Sequence, residues 1–133
     1  MEGLSSASAE DVLLPPNPKI RGRLRDPQLL RALHTEWVEC SICGVAGVRL
    51  SLHHVLKNPR QDLREGLVML CGDGVQGCHG LIEANDVEAR RALAQHIADH
   101  RPDVVEHLIE RLGSAIAAAD WIDRRLQGVM KSR

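Results

Sequence analysis

Apolar positions recur at helical spacing on both flanks of this chain and give way to short β-prone runs only in its middle. Asp26-Pro27 sets a capping side chain before a proline at the first helical position, which predicts a helix over residues 27 to about 37. Leu29, Leu30, Leu33 and Trp37 form its apolar stripe, and His34 reads as a surface or edge residue. Residues 48 to 54 alternate as a strand does, and residues 67 to 70 supply a second strand. A loop over residues 56 to 65, with Asn58-Pro59, joins them as a hairpin with a wide connection. Gly72, Gly74 and Gly77 then make a flexible turn, and a short helix runs over residues 79 to about 84. Asn85-Asp86 caps a helix over residues 87 to about 100, with Leu93 and Ile97 on its inner face. Arg101-Pro102-Asp103 breaks it. A helix over residues 104 to 112 stops at Gly113, and the last, over residues 115 to about 127, carries Ile116, Trp121, Ile122 and Leu126. Helices flanking one hairpin make the expected class α+β.

Composition sharpens this outline. There are 133 residues, with no Phe or Tyr and two Trp, so a core of Leu, Val, Ile and Ala suits packed helices better than a large β-sandwich. Residues 1–25 read as a disordered, basic arm, proline-rich at Pro15-Pro16-Asn17-Pro18 and then cationic at Lys19, Arg21, Arg23 and Arg25. No apolar run approaches a membrane span, and the first residues lack the basic and apolar regions of a secretory signal. A cytoplasmic location, with reduced thiols, is therefore expected, and the four cysteines read as metal ligands before disulfides.

A net charge of −1 argues against broad nucleic-acid binding, yet the cations are clustered. Arg49, Lys57, Arg60 and Arg64 surround a pair of histidines, and Arg124, Arg125, Lys131 and Arg133 close the chain. Such clusters can track phosphates even when the total cancels, and each is equally readable as a solvated face.

The chemistry lies between Cys40 and Glu83. Cys40-x2-Cys43 and Cys71-x6-Cys78 suit a closed tetrahedral structural Zn2+, the longer second loop being eased by its glycines. Such an ion contributes roughly 10–16 kcal/mol of apparent binding free energy. His53-His54 ends the first strand, His79 follows a zinc cysteine, and Glu83 stands one turn further on the same helical face. If the hairpin packs against that helix, His53, His79 and Glu83 meet around a second metal. Neighbours on a regular strand point to opposite faces, so one histidine of the pair faces the metal unless the strand bends. Glu83 is equally readable as an exposed helix residue. His96 and His100, at i and i+4, lack a third ligand nearby in sequence, and His107 is a weaker candidate still.

The combination of Cys-x2-Cys, a strand ending His-His, a strand of form Leu-Val-x-Leu-Cys and Cys-His at a helix resembles the HNH endonucleases. These are the ββα-metal (His-Me finger) nucleases, and the likeness is to their small zinc-containing bacteriophage and prophage type. It implies a ββα-metal core with a four-cysteine zinc site over residues 26–85, entered by an N-terminal helix and followed by a C-terminal helical extension over residues 86–133. It also implies that His53 and His79 bind a catalytic divalent ion, that Glu83 stands where a further ligand is often found, and that His54 is the general base. The implied activity is hydrolysis of DNA phosphodiester bonds, by nicking or double-strand cleavage, in a bacterial or phage-infected cytosol. Mg2+ or Mn2+ is the expected catalytic ion, Zn2+ the structural one, and Arg49, Lys57, Arg60 and Arg64 the DNA contacts. The asparagine that the family places before the second strand is replaced by Gly66. Asn58 or Asp62, and less readily Gln61, could brace the loop instead. The competing expectation is a non-catalytic zinc module that binds DNA or protein, or an accessory subunit of a larger phage packaging or recombination complex.

Overall fold

A computed structural model describes residues 22–128. Of the arm predicted over residues 1–25, the part up to residue 21, with Lys19 and Arg21, lies outside the described residues, as do Lys131 and Arg133. The class is α+β, with five helices and one antiparallel two-stranded sheet among the described residues. The order is α1 (Pro27–Glu36), β1 (Leu50–His54), a 3-10 turn (Arg64–Gly66), β2 (Leu67–Cys71), α2 (Gly77–Glu83), α3 (Val87–His100), α4 (Pro102–Leu112) and α5 (Ala115–Leu126). Among the described residues no helix is long and apolar enough to cross a membrane.

The helix ends follow local chemistry. Asp26 accepts a hydrogen bond from the Leu29 N–H at 3.1 Å, Asp86 from Ala89 at 2.9 Å and Ser114 from Ala117 at 3.0 Å. Gly113 closes α4 in the left-handed conformation. Trp37 falls just past α1 as its C-cap, half-buried under the guanidiniums of Arg64 and Arg101, and of the expected stripe only Leu33 is fully buried. α2 starts two residues earlier than expected, because Gly72 and Gly77 let the turn close on itself. Both have positive φ, and a Cβ on Gly72 would lie 2.1 Å from the Gln76 carbonyl oxygen.

β1 begins at Leu50 rather than 48, where pairing with Cys71 starts, and ends with His54 opposite Leu67. β2 is buried along almost its whole length, unlike a strand with one wet face. Val68 and Leu70 join Ile82 of α2, Leu93 and Ile97 of α3, Val104 and Leu108 of α4 and Ile122 of α5 in one apolar core. The three C-terminal helices thus share their core with the hairpin. Ile116 is the exception: it is 83% exposed, and Ala118 and Ile122 form the inner face of α5 instead.

Gly66 lies at the foot of β2, and its position is set by α4. A Cβ there would stand 3.0 Å from Nε2 of His107, so the imidazole occupies the space that a side chain would need. Gly66→Asn is accordingly expected to lower stability by about 1–3 kcal/mol through overpacking. Thermal or urea unfolding measures this, and a variant as stable as its parent would show that His107 moves aside freely.

Candidate metal centres and their surroundings

The first cluster comprises Cys40, Cys43, Cys71 and Cys78, whose sulfurs all lie within 4.8 Å of one another and are free thiols. The Cys43 and Cys71 sulfurs are 3.8 Å apart. A tetrahedral zinc with bonds of about 2.3 Å spaces its sulfurs about 3.8 Å apart, so the cluster could hold a metal such as zinc. Its electrostatics suit a cation. Burial pushes the Cys40 thiol up, but backbone N–H groups of Cys43, Cys71 and Ile42 outweigh this and bring it down to about 7. Burial and the neighbouring sulfurs push Cys78 up. Four thiolates this close repel one another unless a cation sits among them.

The second cluster brings together His53, His79 and Glu83, whose ligand atoms also lie within 4.8 Å of one another. β1 turns His53 toward α2, and the helical i,i+4 spacing puts His79 and Glu83 on one face. Oε2 of Glu83 is 3.2 Å from Nδ1 of His53 and 3.3 Å from Nε2 of His79, while its Oε1 pairs with Lys57. His53 Nδ1 is buried, and among the described residues its close polar partner is the Glu83 carboxylate, with which it is not aligned for a good hydrogen bond. A buried ring nitrogen without a well-aligned partner is costly, and a metal ion is one group that would satisfy it. Ions with bonds of about 2.1 Å hold adjacent ligands roughly 3.0 to 3.4 Å apart, the spacing between Glu83 and each of the two imidazoles. Burial, then the charge of His79, push His53 down to about 4, only partly offset by Glu83. Burial also lowers His79. Both imidazoles are thus neutral near pH 7, the form that binds metals.

Ser51 was not singled out by sequence, although it lies two residues before His53 on the same strand face. Its hydroxyl donates to the Gly72 carbonyl at 2.8 Å, and so accepts from Nδ1 of His79 at 2.6 Å. That places the His79 proton on Nδ1 and leaves Nε2 as the lone-pair nitrogen toward Glu83. Ser51→Ala is expected to weaken binding of Mn2+ to this cluster about 10–100-fold, with the zinc content of the four-cysteine site unchanged. Calorimetric titration measures it, and unaltered affinity would remove Ser51 from the site.

His54 points away from this cluster, toward the loop. Its Nε2 is 2.8 Å from Oδ1 of Asp62, while Oδ2 of Asp62 accepts from the Asp26 N–H at 2.8 Å. Of the three loop residues considered as a brace, Asp62 is the one that reaches His54. Burial raises its carboxyl, but the hydrogen bonds from Asp26 and His54 prevail and hold it below the ordinary value. The loop is held by segments that precede and follow it in the chain. Leu24 pairs with Gln61 and with the backbone of Asp62, and Arg111 of α4 donates to Gln61 and to the Pro59 carbonyl.

His54, His79, Glu83 and Arg60 border one shallow pocket. Of the other cations expected near it, Arg49 is exposed, Lys57 is paired with Glu83, and Arg64 is engaged by Glu36 through two 2.7 Å hydrogen bonds. His96 and His100 lie ring to ring at 5.4 Å, and among the described residues neither they nor His107 belong to a metal-ligating group. Comparison with protein families, curated proteins and solved structures found nothing that matches this chain.

Proposed function

We propose that this chain is a metal-dependent DNA endonuclease of the HNH, ββα-metal type, stiffened by a structural Zn2+ on its four cysteines. The observation that carries the reading is that His54, paired with Asp62, borders one pocket together with His79 and Glu83 of the metal-ligating cluster. A zinc module that only binds has no use for a partly buried metal-ligand set next to a carboxylate-oriented histidine.

The hard oxygen of Glu83 beside two imidazoles suits Mg2+ or Mn2+. When bound, such an ion supplies stabilisation of the negative charge that develops on the leaving 3′-oxygen. His54, held through Nε2, takes a proton from water at Nδ1. The hydroxide so formed attacks phosphorus in line, the bond to the 3′-oxygen breaks, that oxygen takes a proton from solvent, and the products carry 5′-phosphate and 3′-hydroxyl ends. Arg60 at the pocket and Arg49 beside the strand hold the phosphate backbone.

Incubating supercoiled plasmid with the purified protein and Mg2+ or Mn2+ tests the proposal. Nicked or linear product that EDTA abolishes is expected. Intact plasmid with every divalent ion would replace this reading with that of a zinc-stabilised binding module.

A further inference from the structure

A cavity of about 310 Å³ opens between α2, α3 and α5, at the small end of the range for pockets that hold ligands. His53 and Glu83 form part of its lining, Arg90 of α3 and Arg125 of α5 another part, and Leu93 and Trp121 add apolar wall. The two arginines differ from others in the chain. Arg64, Arg91, Arg101 and Arg124 each face a carboxylate. Among the described residues Arg90 has only the Asn85 amide oxygen, at 2.8 Å, and its Nε is buried with no hydrogen-bond partner. Arg125 donates to the Trp121 carbonyl and lies 3.6 Å over the centre of the Trp121 ring. Among the described residues neither makes an ion pair. Burial, then the charge of Arg90, bring Arg125 down to about 10, so it remains charged at neutral pH.

Lys57 also lines the cavity but is paired with Glu83, so Arg90 and Arg125 are the two cations there without a carboxylate. They repel each other, and an oxyanion between them turns repulsion into charge-assisted hydrogen bonding. A cation in the last turn of α5 gains from the helix dipole, but that gain gives no reason for Arg90 to face the same space. An anion bound there shares its cavity with His53 and Glu83. We propose that Arg90 and Arg125 receive a backbone phosphate next to the scissile one on the DNA strand being cut, with Leu93 and Trp121 against its sugar. The assignment to a strand under cleavage rests on the endonuclease reading above. It gives the C-terminal helices a role in holding substrate.

Fluorescence anisotropy of a short labelled duplex, on full-length protein carrying His54→Ala with Mg2+ and zinc present, measures the contact without cleavage. Arg90→Gln and Arg125→Gln are each expected to weaken binding roughly five- to tenfold and to reduce the salt slope by about one. Arg31→Gln, which removes the same charge from an exposed position on α1, leaves both unchanged. Thermal melting confirms that each variant is folded. Unchanged affinity and slope in both pocket variants overturns the proposal, even where plasmid is cut. Loss of duplex binding in both, with no plasmid cleavage by the parent, keeps the phosphate site and removes the endonuclease reading instead. Thymidine 5′-phosphate binding more tightly than the duplex, and through Arg125, would overturn the assignment to a DNA strand.

Discussion

His54→Ala is expected to lower metal-dependent plasmid cleavage by about 10²–10⁴-fold while zinc content and melting temperature stay near those of the parent. The size follows from the loss of a positioned base, and the selectivity follows from geometry. His54 belongs to neither metal-ligating cluster, and its ring hydrogen-bonds the loop rather than the helices. Asp62→Asn probes the same step more finely. The Asp26 N–H needs an acceptor, so the amide oxygen of the substituted side chain turns toward it and the NH2 faces Nε2 of His54. That donor forces the imidazole proton onto Nδ1 and removes the base, with the loop still tethered. A pH–rate profile on this variant separates the tautomer effect from a folding defect. Cleavage that survives His54→Ala at the parent rate would sink the mechanism.

Changing Cys71 and Cys78 together to serine is expected to abolish binding of about one zinc per chain and with it the cooperative thermal transition. The apparent binding free energy of a structural zinc, roughly 10–16 kcal/mol, is comparable with the whole stability of a typical domain, about 5–15 kcal/mol. Cys71 ends β2 and Cys78 lies in the first turn of α2, while Cys40 and Cys43 lie ahead of β1. The site therefore ties the hairpin to the helix that carries His79 and Glu83. Calorimetry and metal analysis on the same samples measure both quantities. A zinc-free protein that melts as the parent does would show that the shared helical core suffices.

The elements were largely legible because their signals are local. Asp26, Asp86 and Gly113 cap within three or four residues, and helical spacing alone places Glu83 beside His79. The boundaries that shifted, at residue 50 and at Gly77, depend on strand pairing and on the backbone passing over Gly72, which no local rule reports. Ile116 satisfied a periodic pattern and still faces solvent, because the bundle reaches only the Ala118 and Ile122 side of α5.

The sequence by itself determined the donor sets: four cysteines in two pairs, and two histidines with a carboxylate at strand end and helix start. Metal-ligating residues are few in kind, and their spacing reflects short turns. Only the tertiary structure decided how those sets are supported. It selected Asp62 over Asn58 and Gln61, put Ser51 behind His79, filled the space beside Gly66 with His107, and faced Arg90 and Arg125 into one cavity. Each of these joins residues on different elements, such as Gly66 with α4 or α3 with α5. Their meeting is set by how the helices pack on β2, and packing is a property of the whole core.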